Sequence, residues 1–144
     1  MMKCATAYLR KNIIYLNSSS KTKVGAWIGT PPFLKVNNTE SSNGISEQVI
    51  DALNGSKQQV DHPKEFGSLF KPVLELAGVK SYSTFVRNTH CCELCEEDGV
   101  ITITPTVNRG NEGFDHLNDQ SVKVSLHRSK DIATGLIEAF DKCK

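Results

Sequence analysis

The reading of this chain turns on HPKEFGSLFKPVLELAGVKSYSTFVRN, His62 to Asn88. Phe66, Leu69, Phe70, Val73, Leu74 and Ala77 recur at spacings of three and four, which places them in one apolar stripe on a helix. Gly78 follows the last periodic residue, where a helix stop belongs. Tyr82, Phe85 and Val86 resume the pattern after it. The stretch predicts two helices joined by a turn and laid on something flat, with Leu69, Phe70, Val73, Leu74 and Ala77 buried against a sheet. Pro72 breaks the regularity, because a proline inside a helix costs about 3 kcal/mol. Either the helix starts near Lys71 with Pro72 in its first turn, or residues 66–70 form a separate turn and the proline kinks the junction.

Outward from this centre, strand patterns lie on both sides. Ile13 to Leu16 is a β-prone run that Asn17-Ser-Ser-Ser20 is expected to end in a turn. Val24, Ala26 and Ile28 alternate with Gly25, Trp27 and Gly29. Thr30-Pro31-Pro32 reads as a turn before a short strand at Phe33–Val36. On the other side, the runs from Thr89 to Glu96 and from Val100 to Thr106 flank Glu97-Asp98-Gly99, a strong hairpin signal. Val122, Val124 and Leu126 alternate as a further strand, after a Gly-containing loop anchored by Phe114 and Leu117.

Two amphipathic helices complete the pattern. One runs from Ile45 to Leu53, with Ser46 as cap and Gly55 as stop, and the other from Ile132 to Phe140, with Ser129 as cap. Their apolar residues share one register: Ile45 with Ile132, Val49 with Leu136, Ile50 with Ile137, Ala52 with Ala139, Leu53 with Phe140. The expectation is a single α+β domain over residues 1–144, a mainly antiparallel sheet of about five or six strands with about four helices packed on it.

Composition narrows the function classes. A chain of 144 residues with 38% hydrophobic and 23% charged content can bury a core without metals or disulfides. No run approaches the roughly 18 apolar residues of a membrane span. Lys3, Arg10 and Lys11 interrupt any export-signal core, so the cytoplasm is expected. A net charge of +1 gives no general case for nucleic acid or anionic membrane. Charge is nevertheless uneven. Residues 1–38 hold Lys3, Arg10, Lys11, Lys21, Lys23 and Lys35 with no acid. Residues 91–120 hold Glu93, Glu96, Glu97, Asp98, Glu112, Asp115 and Asp119 against Arg109 alone. Either the two segments are neighbours and neutralise one another, or the acidic block faces a basic partner and steers it.

The cysteines at 4, 91, 92, 95 and 143 are expected to be thiols in a reducing compartment. His90-Cys91-Cys92-Glu93-Leu94-Cys95 carries half of a zinc-knuckle spacing, but no second half follows, and on a strand Cys91 and Cys95 face away from Cys92. A thiol- or zinc-dependent protein built on that cluster is the alternative reading. His62, His90, His116 and His127 sit in no nucleophile or metal motif. Trp27 is either an exposed interface anchor or packed under helices.

Three blocks carry a resemblance: Lys21-Thr-Lys-Val-Gly-Ala-Trp-Ile-Gly29; His62-Pro63 with Leu69 to Ser81; and Ile101-Thr-Ile-Thr-Pro-Thr-Val-Asn108 with Gly113-Phe114. Together with the C-terminal helix they resemble the immunity proteins of bacterial contact-dependent growth inhibition systems (CdiI type). The likeness covers roughly residues 8–142 and is similar to the branch paired with a ribonuclease A-like toxin. It implies a cytoplasmic, non-enzymatic protein without cofactor. Its partner would be the C-terminal toxin domain of a cognate effector (CdiA-CT type), bound one-to-one over the active site. A nuclease cleft that binds phosphates is basic, so carboxylates of an inhibitor can occupy it. Glu96, Glu97, Asp98, Glu112, Asp115 and Asp119 are the candidate partner-binding residues.

Overall fold

The structure is a computed structural model and describes residues 2–144. Seven strands form one antiparallel sheet: β1 Lys3–Arg10, β2 Ile13–Lys21, β3 Trp27–Asn37, β4 His90–Glu97, β5 Val100–Asn108, β6 Phe114–His116 and β7 Val122–Ser125. Their order is β3-β2-β1-β4-β5-β6, with β7 also paired to β5. Four helices, α1 Ser42–Asn54, α2 Lys71–Ala77, α3 Tyr82–Val86 and α4 Ser129–Lys142, cover it from both sides. The α+β architecture is the one the sequence predicts, with more strands. β1 alternates small Ala5 and Ala7 with Cys4, Thr6 and Tyr8, and it fills the middle of the sheet.

One face carries the main core. Ala5, Ala7, Ile14, Leu16, Cys92, Leu94, Ile101 and Ile103 meet Ile45, Val49 and Leu53 of α1 and Ile132, Leu136 and Phe140 of α4. The shared register of the two helices has a structural counterpart: each follows an edge strand, and the two pack side by side on this face. α1 begins at Ser42 rather than Ile45, because Ser41, not Ser46, accepts the Gly44 N–H as N-cap. Ser46 is buried inside the helix and bonds the Ser129 carbonyl of α4. Ser129 is the first residue of α4, and Arg128 occupies the cap position.

The opposite face carries a smaller, aromatic core, and this is where residues 62–88 lie. α2 starts at Lys71 with Pro72 in its first turn, so the proline costs no interior hydrogen bond. Gly78 ends it at φ 71, a left-handed position. Val73 and Phe85 are buried and pack with Tyr8, Tyr15, Phe70 and Tyr82. Of the expected stripe only Val73 is fully buried; Leu69, Phe70, Leu74 and Ala77 are half-buried at the margin of a short helix.

Three further sequence expectations are corrected. Asn17-Ser-Ser-Ser20 does not turn; it is the second half of β2. Its polar groups find partners: Ser18 Oγ donates to the Ala52 carbonyl at the end of α1, and Ser20 Oγ lies 2.7 Å from Thr30 Oγ1. A serine run so satisfied can be buried. Thr30-Pro31-Pro32 does not turn either; it continues β3, which is an edge strand, with a register shift opposite Asn17 and Ser18 and a cis bond between the prolines. Finally, Cys4 and Cys95 are not thiols. β1 and β4 set them directly opposite, Cα atoms 4.2 Å apart, and they are joined as a disulfide.

The hairpin between β4 and β5 forms as expected, with Asp98 and Gly99 at φ 53 and 83, the pair of positive values a two-residue hairpin turn needs. The loop after β5 is more ordered than a loop. It holds a turn of 3-10 helix at Gly110–Glu112, β6, and a second 3-10 turn at Asn118–Gln120.

Candidate partner-binding surface

α2 and α3 cover only part of the second sheet face. Beside them the face stays open and forms a groove of about 480 Å³. Its floor is polar, from Thr6 of β1 and Asn17 and Ser19 of β2. One wall is apolar: Trp27 and Phe33 of β3, with Phe66, Leu69 and Phe70 from the segment that leads into α2. The other wall is Glu93 of β4 and His116 of β6.

The local sequence explains each wall. Alternation along β4 sends Leu94 into the main core and therefore Glu93, Cys95 and Glu97 to the groove side. β6 sits against the end of β5, which brings His116 Nε2 to 2.7 Å from Glu93 Oε2. On the floor, Thr6 Oγ1 and Ser19 Oγ lie 3.3 Å apart, and Asn17 Nδ2 donates to the Ser18 carbonyl at 2.9 Å. The two floor hydroxyls bond to each other, and the His116 imidazole is held by Glu93. Phe66 is 54% exposed, with the His62 ring 5.3 Å from it edge-on. An exposed aromatic beside a tryptophan, over a polar floor, has the anatomy of a docking site.

None of the six sequence candidates lines this groove; they fall at three other places. Glu97 and Asp98 are exposed at the tip of the β4–β5 hairpin, and Glu96, half-buried, is opposite Lys3 of β1. Asp115 lies in β6, where Arg109 Nε donates to its Oδ2 at 2.9 Å, and Asp119 is in the second 3-10 turn. Glu112 lies in the first 3-10 turn, beside α3, where Ser83 donates to Asn111. Among the described residues, Glu96, Glu97, Asp98, Glu112 and Asp119 have no cationic side chain within 4.0 Å. The hairpin tip and Glu112 stand at opposite ends of β5, a strand of nine residues, hence about 27 Å apart. The basic and acidic segments are neighbours, since β1 pairs with β4, but most of the carboxylates stay unpaired.

Thr6, Asn17, Ser19 and Phe66 are the groove residues that sequence reasoning passed over. The signal for Thr6 was the period-two alternation of Lys3–Arg10. No local signal marks Phe66 as exposed, because it keeps the spacing of the buried stripe.

The model of the CDI immunity protein family matches residues 36–143. No curated protein matches the chain. The fold is similar to a Neisseria meningitidis protein of unknown function, at 16% identity and a TM-score of 0.83, over 100% of this chain and 96% of that one. It is equally similar to a chain of the CdiA-CT/CdiI toxin and immunity complex from Yersinia pseudotuberculosis, at 18% identity and a TM-score of 0.83, over 100% and 98%. At these identities the likeness concerns the fold.

Proposed function

This chain belongs to the CDI immunity protein family, and on that premise we propose that it binds the C-terminal toxin domain of a cognate contact-dependent inhibition effector, one-to-one, and neutralises it without turnover in the cytoplasm. The family match over residues 36–143 is the observation that carries this reading.

Two features of the surface support a binding role and give it a shape. Trp27 and Phe66 supply the apolar centre of a contact, as interface anchors do. Glu97 and Asp98 at the hairpin tip, with Asp115, Asp119 and Glu112 toward the β6 side, would supply acidic contacts beyond the groove, whereas Glu96 lies on the α1/α4 face of β4. Such contacts suit a toxin with a basic, phosphate-binding cleft, that is, a ribonuclease whose active site the inhibitor covers.

The test is direct. The toxin domain encoded beside this chain is purified and mixed with it, then assayed for RNA cleavage and run on gel filtration. Cleavage abolished at one equivalent, with one stable complex, is the expected result. A toxin that binds but cuts no RNA removes the ribonuclease and keeps the immunity function. Failure to bind removes both.

A further inference from the structure

Cys92 and Cys143 are 51 residues apart in sequence, and their Sγ atoms lie 3.7 Å apart. Cys92 is fully buried in the main core, whereas Cys143 is half-buried just past the end of α4. The tail that carries Cys143 is fixed. The Lys144 N–H donates to the Thr106 carbonyl at 3.1 Å, and the Asn108 N–H donates to the Lys144 carbonyl at 2.8 Å. Cys91 and Cys95 are on the other face of β4, so neither competes for Cys143 across the sheet.

We propose that Cys92 and Cys143 form a redox-responsive dithiol, in which Cys143 is the peroxide-attacking sulfur and Cys92 the resolving one. A half-buried cysteine beside a fully buried one, with the sulfurs at near contact, is the arrangement such a pair requires. The contact with Cys92 brings the Cys143 thiol down to about 7 despite partial burial, while the same contact and burial push the Cys92 thiol up. Of the two sulfurs, Cys143 therefore has the greater thiolate character.

The steps balance. The Cys143 thiolate attacks one oxygen of hydrogen peroxide and breaks the O–O bond; the other oxygen leaves as hydroxide, takes up a proton and becomes water. Cys143 is then a sulfenic acid. Cys92 Sγ attacks Cys143 Sγ, its proton goes to the departing hydroxide, a second water leaves, and the S–S bond forms. The two thiols lose two electrons and the peroxide gains them. The sulfurs need only close from 3.7 Å to about 2.05 Å. The product ties the end of α4 to β4.

The experiment exposes the full chain to hydrogen peroxide, then reads intact mass and non-reducing peptide maps. The expected result is a loss of two hydrogens and a linked Cys92–Cys143 peptide, formed faster as pH rises through about 7. Cys143→Ser should abolish that peptide and slow thiol loss at least about tenfold. Cys92→Ala should leave Cys143 trapped by a 1,3-dione as its sulfenic acid adduct. The proposal is overturned if wild-type protein oxidises at Cys91 or between molecules, with Cys92 and Cys143 still alkylatable, or if Cys143→Ser oxidises at the wild-type rate. The wild-type map decides alone should the Cys92 variant fail to fold.

Discussion

Gly135, in the middle of α4, lies so close to Val124 of β7 that a Cβ on it would stand 2.7 Å from the valine Cγ1. The helix reaches the sheet there because it has no side chain at that turn. Gly135→Ala should gain about 1 kcal/mol of helix propensity but lose more to overpacking, for a net destabilisation of about 1–2 kcal/mol in urea unfolding. In a Val124→Ala background the same change should cost much less, and a double-mutant cycle measures the coupling.

Asn108 closes the end of β5. Its Nδ2 donates to the carbonyls of Val86 at 2.7 Å and Thr89 at 2.8 Å, while its Oδ1 accepts the Gly110 N–H at 2.8 Å. One side chain thus fixes the end of α3, the entry to β4 and the first 3-10 turn. Asn108→Asp keeps the shape but replaces two donated bonds with repulsion. It should destabilise by about 2–4 kcal/mol at neutral pH and recover partly when the carboxyl is protonated, seen as a rise in thermal midpoint on acidification.

How much of this was legible depends on where the deciding partner sits. The β4–β5 hairpin and the stop at Gly78 are local signals, and both were readable; the start of α2 at Lys71 is one of the two readings that Pro72 left open. The serines of β2 were not, because Ala52, Thr30 and Ser56 bury them from distant parts of the chain. Pro31 and Pro32 argued against a strand because edge position is a property of the sheet and not of the segment. Cys92 was grouped with its sequence neighbours, yet its partner is Cys143. The groove escaped for the same reason: Thr6, Ser19, Trp27, Phe66 and Glu93 come from five separate segments.

Tyr8 meets Phe85 at 5.3 Å and Phe70 at 5.6 Å, edge-on, in the aromatic core. Burial pushes its hydroxyl well above the usual tyrosine value. The folded value is raised, so the stability it contributes is complete below the unfolded value of about 10 and declines as pH climbs beyond it. Wild-type protein should lose thermal stability above about pH 10, and Tyr8→Phe should flatten that decline in a titration followed by circular dichroism.

The Cys4–Cys95 bond closes a span of 91 residues, for which the chain-entropy model gives about 4.5 kcal/mol as an upper value. Cys4→Ser with Cys95→Ser should lower stability by about 2–4 kcal/mol, and reductant should bring wild-type protein toward the double variant but leave that variant unmoved. Denaturant midpoints with and without reductant measure both.

The rim and the centre of the proposed toxin contact should separate kinetically. Glu97, Asp98 and Asp119 have no cationic partner among the described residues, so reversing them to Lys leaves the fold intact and alters only the field a basic toxin meets. Glu97→Lys with Asp98→Lys should slow association about tenfold at low salt and weaken its salt dependence, with dissociation little changed. Asp115 should matter less, since Arg109 already holds it. Trp27→Ala and Phe66→Ala remove apolar anchors instead and should speed dissociation, by about 2 kcal/mol or more at the larger of the two, while association stays near wild type. Surface plasmon resonance over a range of salt concentrations reads all four. Truncation of both aromatics without effect would move the contact off the groove, and charge reversal without effect on association would remove the acidic rim.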